Sequence, residues 1–156
     1  MNKYATISLM MLLFSAPLHP QSAITPSLFP KLGDTLPCIP VDSVRWLIAS
    51  GQMAQGCDVI YSGIKFFIAT IDGKQISFIS TRDSNFVSPD GIRVGDNIKK
   101  IRAVKGTEII PEIGWSYYSI LPSGWCTRYP GIPEYEMHHI TSVSKDSVVF
   151  ELFQRK

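Results

Sequence analysis

Little in this sequence points to catalysis. It has no Gly-x-Ser-x-Gly elbow to present a serine nucleophile, no glycine-rich loop to cradle a phosphate, and no Cys-x-x-Cys pair. Internal repeats and low-complexity tracts are absent, which excludes solenoids and linker-like chains. Cysteines number three in 156 residues, too few for a disulfide-dense scaffold. An excess of one charge is missing as well: 15 Lys and Arg stand against 13 Asp and Glu, with no basic stripe, which argues against a nucleic-acid partner. No apolar run is long enough to span a bilayer. The carboxylates are scattered, so spacing nominates no acid/base pair, no catalytic residue and no cofactor.

What is present begins with an export signal. Lys3 supplies a positive start, residues 5–14 are an uncharged apolar run, and Pro17, Pro20 and the small residues up to Ala23 form the exit expected before a signal-peptidase cut. Residues 1–23 are therefore expected to be a signal peptide, residues 24–43 an extended lead-in with four prolines, and residues 44–156 a single domain. Removing Lys3 with the signal changes 15 bases against 13 acids into 14 against 13, a net charge of +1. No cysteine near the cut can accept a lipid, so no lipid anchor is expected and the location is periplasmic or secreted.

In an oxidising compartment three cysteines imply one disulfide and one free thiol. Three pairings are open. Cys38 with Cys57 is favoured because it closes a local loop around residues 44–48, a short apolar run that reads as a strand or a helical turn. Cys126 then remains as a small buried apolar residue.

Residues 64–71 and 74–81 read as strands joined by Asp72-Gly73, a sequence suited to a type I′ hairpin turn. Ile76 and Phe78 are expected to share the inward face, with Gln75 and Ser77 in solvent. A turn at Ser88-Pro89-Asp90-Gly91 follows, Ile92 and Val94 return to the core, and Asp96 is placed to cap a helix. Ile98, Ile101 and Val104 give that helix one apolar stripe over about residues 97–105, and Gly106 ends it. Further strands are expected at residues 115–121 and 125–129 across a Pro122-Ser123-Gly124 turn, then at 138–144 and 147–153 across Lys145-Asp146. The expected fold class is α+β: one antiparallel sheet built of hairpins with one short helix packed on it.

Residues 81–101 resemble a pattern found in uncharacterised bacterial exported proteins, in which a strand leads through a turn into Gly-Ile/Leu-x-Val-Gly-Asp and a short helix; here it is Gly91-Ile92-Arg93-Val94-Gly95-Asp96. The resemblance implies an exported α+β domain and carries no activity. Ser123-Gly124-Trp125-Cys126-Thr127-Arg128 is similar to the Ser-His-Gly-Cys-x-Arg segment of cell-wall L,D-transpeptidases, with Gly124 in place of the histidine. It implies a second reading, a cell-wall thiol enzyme using Cys126 with His138 or His139. Tyr61-Ser62-Gly63-Ile64-Lys65-Phe66 resembles the Ser-Gly-x-x-Tyr loop of periplasmic lysozyme inhibitors, with Phe66 in place of the tyrosine.

Glu134, Glu136 and His138 would share one face of a strand, but without a third strong ligand they read as a solvated edge, and no metal is expected. Trp115, Tyr117, Tyr118, Trp125 and Tyr129 concentrate aromatic side chains in two neighbouring strands. Core packing competes with an exposed aromatic face, and that face, with Glu134 in the proline-stiffened loop 129–134, is the expected binding surface. The leading expectation is an exported, non-enzymatic binding protein whose partner is another protein of the cell envelope, acting as an inhibitor or immunity-type protein. A structural envelope domain is the third reading.

Overall fold

The structure is a computed structural model and describes residues 29–38, 45–131 and 143–156. The expected signal peptide, Glu134, Glu136, His138 and His139 lie outside the described residues.

Strands β1 (Arg45–Ala49), β2 (Gln52–Tyr61), β3 (Ile64–Thr70) and β4 (Phe78–Thr81) are followed by helix α1 (Ile98–Arg102). Strands β5 (Ile110–Glu112), β6 (Ser116–Ile120), β7 (Cys126–Tyr129) and β8 (Glu151–Arg155) complete the order. All eight join in one antiparallel sheet, ordered β1-β2-β3-β4-β8-β7-β6-β5. The run at 44–48 is thus a strand, and the second expected hairpin is β6 with β7, paired from Tyr117↔Tyr129 to Ile120↔Cys126.

The expected α+β class is corrected to a mostly β fold, a half-barrel with almost no helix. Its single described helix is five residues long, about one and a half turns, and cannot form a layer. Thr107 closes the turn after it: its hydroxyl stands 2.8 Å from both the Ile101 and Val104 carbonyl oxygens, which share its one proton. Ile98 and Ile101 are buried as the stripe predicts. The cap is one residue later than expected: Asn97 Oδ1 accepts from the Lys99 N–H, whereas Asp96 accepts from the Arg93 N–H and pairs with Lys100.

The two faces of the sheet carry separate cores. On the outer face Phe66, Ile68, Ile79, Tyr117, Tyr129 and Leu152 are covered by irregular chain, through Phe86, Ile92, Val149 and α1. The inner face gathers Ile48, Ala54, Ala69, Phe78, Trp115, Cys126 and Phe153. Ile48 comes from one edge of the sheet and Trp115 from beside the other, so this face is the concave one. Small residues permit the curl: a Cβ on Gly56 would stand 2.4 Å from both the Ile68 carbonyl oxygen and the Phe67 ring.

The two edges meet along a seam of side-chain contacts rather than a backbone ladder. Trp115 Nε1 donates to the Leu47 carbonyl at 3.0 Å, and the Ser50 N–H donates to Glu112 at 2.6 Å. Arg155 spans both sides, reaching Glu112 through two nitrogens and the Ile48 carbonyl through one.

The Asp72-Gly73 hairpin also needs correction. Pairing of Ala69 with Phe78 leaves a longer loop, in which the Asp72 carboxylate accepts the N–H groups of Gln75 and Lys74 and the Thr70 hydroxyl. Those bonds lower its pKa to about 2. Thr35 bridges Gln75, and Asp34 pairs with Ile76, so the lead-in takes the backbone groups that a tight hairpin would have used. Between Ile76 and Phe78 the side-chain alternation is broken, although the Ser77 N–H still donates to the Ala69 carbonyl. Ile76 therefore joins the outer core and Phe78 the inner one, and Ser77 is buried rather than solvated. The two-residue turn with positive φ at both centres is instead Ser62-Gly63, at 50° and 80°, inside the segment resembling the inhibitor loop.

A disulfide joins Cys38 to Cys57 and pins residues 29–38 to β2. With a sequence separation of 19, its loss in Cys57→Ser is expected to cost about 3 kcal/mol by loop-closure entropy. Urea denaturation of the oxidised protein and the variant measures this.

Candidate functional site

At the open end of the concave face lies a cavity of about 460 Å³. β1 supplies Trp46, Leu47 and Ile48; Phe67 and Phe78 continue the apolar wall from β3 and β4. Trp46 is 48% exposed and leans on Phe67, with ring centroids 5.0 Å apart. The rest of the lining includes the charged side chains of Asp58, Lys65, Arg82, Asp83, Arg128 and Glu151. The lining combines an apolar floor with a few directed polar groups, the usual composition of a ligand site.

Register builds the charged wall. Arg128 of β7 stands opposite Glu151 of β8, and Nη1 donates to Oε2 at 2.8 Å. Arg82, leaving β4, approaches the other oxygen of Glu151 at 3.5 Å. Both guanidinium groups lie 5.2 Å from the Phe150 ring, and Arg128 also packs at 4.5 Å over Trp115. Lys65 and Asp58 pair at 2.6 Å on the outer rim.

The sequence-selected aromatic residues occupy other places. Trp115, Tyr117, Trp125 and Tyr129 are buried, Trp115 in the inner core and the other three in the outer one. Tyr118 is partly buried beside Arg155 on the concave face. Tyr129 turns its hydroxyl to Ser119 and Thr127, a satisfied buried polar cluster. None of these five lines the cavity; the site residues missed by sequence reasoning are Trp46, Arg82, Arg128 and Glu151. A signal existed in the last strand, where Glu151, Phe153 and Arg155 place two charges on the face of a core phenylalanine.

Cys126 lies in the inner core at 7% exposure, and burial pushes its thiol pKa up to about 11, against a weaker opposing pull from Arg155. At neutral pH it is a protonated thiol without the character of a nucleophile. His138 and His139, its suggested partners, are outside the described residues. Gly91-Ile92-Arg93-Val94-Gly95-Asp96 runs over the outer core. Asp90 accepts from the Ser123 N–H and hydroxyl, Ile92 is buried, and the Gly95 N–H donates to the Val149 carbonyl. Among the described residues no group of three or more His, Cys, Asp or Glu is arranged to hold a metal.

Glu112 at the seam, outside the cavity lining, gives the fold a pH dependence. Burial raises its pKa, but the bonds from Arg155 and the Ser50 N–H outweigh it and leave the carboxyl below its ordinary 4.5. A depressed folded-state pKa contributes stability above the unfolded value that is lost as pH falls through the folded one. Below about pH 4.5, the melting temperature of the native chain is therefore expected to fall more steeply than that of Glu112→Gln. Parallel slopes in thermal scans would contradict the assignment.

Comparison with family models, curated protein sequences and solved structures finds no match to this chain. Among the described residues no helix is long and apolar enough to cross a membrane.

Proposed function

We propose that this chain is an exported, non-enzymatic binding protein of the periplasm or extracellular space, which engages a protein partner at the mouth of the concave sheet. The observation that carries this reading is the exposed pair Trp46 and Leu47 on the edge strand beside the cavity. A half-exposed tryptophan next to a partly apolar cavity is the kind of anchor that dominates protein interfaces. The Cys38–Cys57 disulfide fits an oxidising compartment. A blocking role, as inhibitor or immunity protein, suits a small domain with one anchored face. The thiol-enzyme reading loses support from the buried, protonated Cys126.

Affinity capture from envelope extract with the native chain and Trp46→Glu tests this. The native chain is expected to retain one protein reproducibly, and the variant to lose it while still unfolding in one cooperative transition, its melting temperature lowered only by the lost packing on Phe67. A tryptophan anchor contributes about 2 kcal/mol or more, roughly thirtyfold in affinity. Equal recovery by both chains would remove the concave mouth as the binding face.

A further inference from the structure

The charged wall of the cavity has more donors than acceptors. Lys65 is engaged by Asp58. Asp83 is also satisfied, its two oxygens taking the N–H groups of Asn85 and Lys65. Among the described residues that leaves Glu151 as the single carboxylate serving two guanidinium groups, each with five N–H donors. Among the described residues Arg128 Nε is buried with no hydrogen-bond partner. Arg82, with its side chain 62% exposed, meets Glu151 only at 3.5 Å. Buried donors are almost always satisfied, so this orphan calls for an acceptor, and a ligand in the cavity is one source of it. The rings of Trp46, Phe67 and Phe78 line the same cavity.

We infer that the cavity binds an apolar group of aromatic size that carries a carboxylate, its ring against Trp46 and Phe67 and its oxygens against Arg82 and Arg128. The guanidinium fork suits a carboxylate, and a charge-assisted bond is stronger than the neutral one an amide could make. About 460 Å³ accommodates a ring with its acid group and not a folded element. This deepens the proposed function by naming what enters the mouth. The same chemistry is offered by the free C-terminus of a partner chain ending in an aromatic residue and by a free apolar acid.

The test is a heteronuclear NMR titration of the purified chain that follows the arginine Nε–H resonances. The probes are N-acetyl-phenylalaninate, its neutral amide, the tripeptide Gly-Gly-Phe as free acid, and decanoate. The expected result is saturable movement of the Arg128 Nε–H signal with the carboxylates and on the order of tenfold weaker binding of the amide. Arg82→Gln, a largely exposed position, is expected to remove about the same tenfold for the acids, leaving the amide and the melting temperature unchanged. Preference for Gly-Gly-Phe assigns a partner's C-terminus, preference for N-acetyl-phenylalaninate assigns a free aromatic acid, and preference for decanoate, which has no ring, would overturn the inference. Equal affinity for acid and amide, no binding of any carboxylate at millimolar concentration, or indifference to Arg82→Gln would overturn the inference. Partner capture abolished by Trp46→Glu, with no carboxylate bound, would sink the inference alone. Carboxylate binding with capture unaffected by Trp46→Glu would sink the protein-partner reading instead.

Discussion

Replacing Glu151 with leucine is expected to lower folding stability by about 3–5 kcal/mol, the cost of leaving a buried cation without its counter-charge. The Glu151 side chain is 7% exposed and that of Arg128 18%, so water cannot readily take over solvation of the guanidinium. Arg82 would lose its ionic partner too, but at 62% exposure it is compensated by solvent. Leucine is close to glutamate in volume, and the loss would therefore report the stranded charge rather than a cavity. The double variant Glu151→Leu with Arg128→Met discriminates: removing both charges is expected to restore most of the stability, since a buried pair is seldom worth more than an apolar one of similar volume. Lys65→Ala supplies the contrast. Its pair with Asp58 is more than half exposed on both sides, and its loss should cost less than about 1 kcal/mol. Urea denaturation of the four proteins gives the comparison, and a Glu151→Leu loss no larger than that of Lys65→Ala would refute the buried-pair account.

Trp115→Ala is expected to cost about 3–5 kcal/mol and to loosen the seam as well as the core. The indole is 1% exposed, stands 5.1 Å from the Phe153 ring, and has the Arg128 and Arg155 guanidinium groups at 4.5 and 4.9 Å from its ring. Its N–H is one of the few links from the β6 side of the sheet to β1. Trp115→Phe separates the two contributions: ring packing is largely kept, the bond to the Leu47 carbonyl is lost, and about 1 kcal/mol should follow. Hydrogen exchange would then rise in β1 ahead of the other strands. Uniform acceleration across the sheet would mean that Trp115 acts only as core volume.

Local chemistry made part of this fold legible. Cys38 and Cys57 are near neighbours in sequence, Pro122-Ser123-Gly124 is a strong turn, and Ile98 with Ile101 is a period-three stripe; each is read from a few adjacent residues. What was illegible depends on distant pairing. Arg128 and Glu151 meet because β7 and β8 are neighbours, a relation separated by 23 residues of sequence. Asp72-Gly73 is good hairpin chemistry, yet Asp34 and Thr35 compete for the same backbone groups and extend the loop. β3 reads Ile-Lys-Phe-Phe-Ile-Ala-Thr with little alternation because both sides of that strand are buried. For the same reason the aromatic strands β6 and β7 suggested an exposed face where the sheet has two cores. Trp46 was overlooked because one tryptophan in a short run carries no period, and its place at the cavity follows only from the curl.

The seam also bears on how this chain behaves among copies of itself. An open sheet ends in two strands whose unpaired peptide groups invite another strand to dock, a route to aggregation. Here the carbonyls of Leu47 and Ile48 already accept from Trp115 and Arg155, the Ser50 amide is held by Glu112, and Pro111 in β5 has no amide hydrogen to offer. The contacts that curl the half-barrel thus double as edge protection, so that a variant losing them becomes sticky before it becomes unfolded.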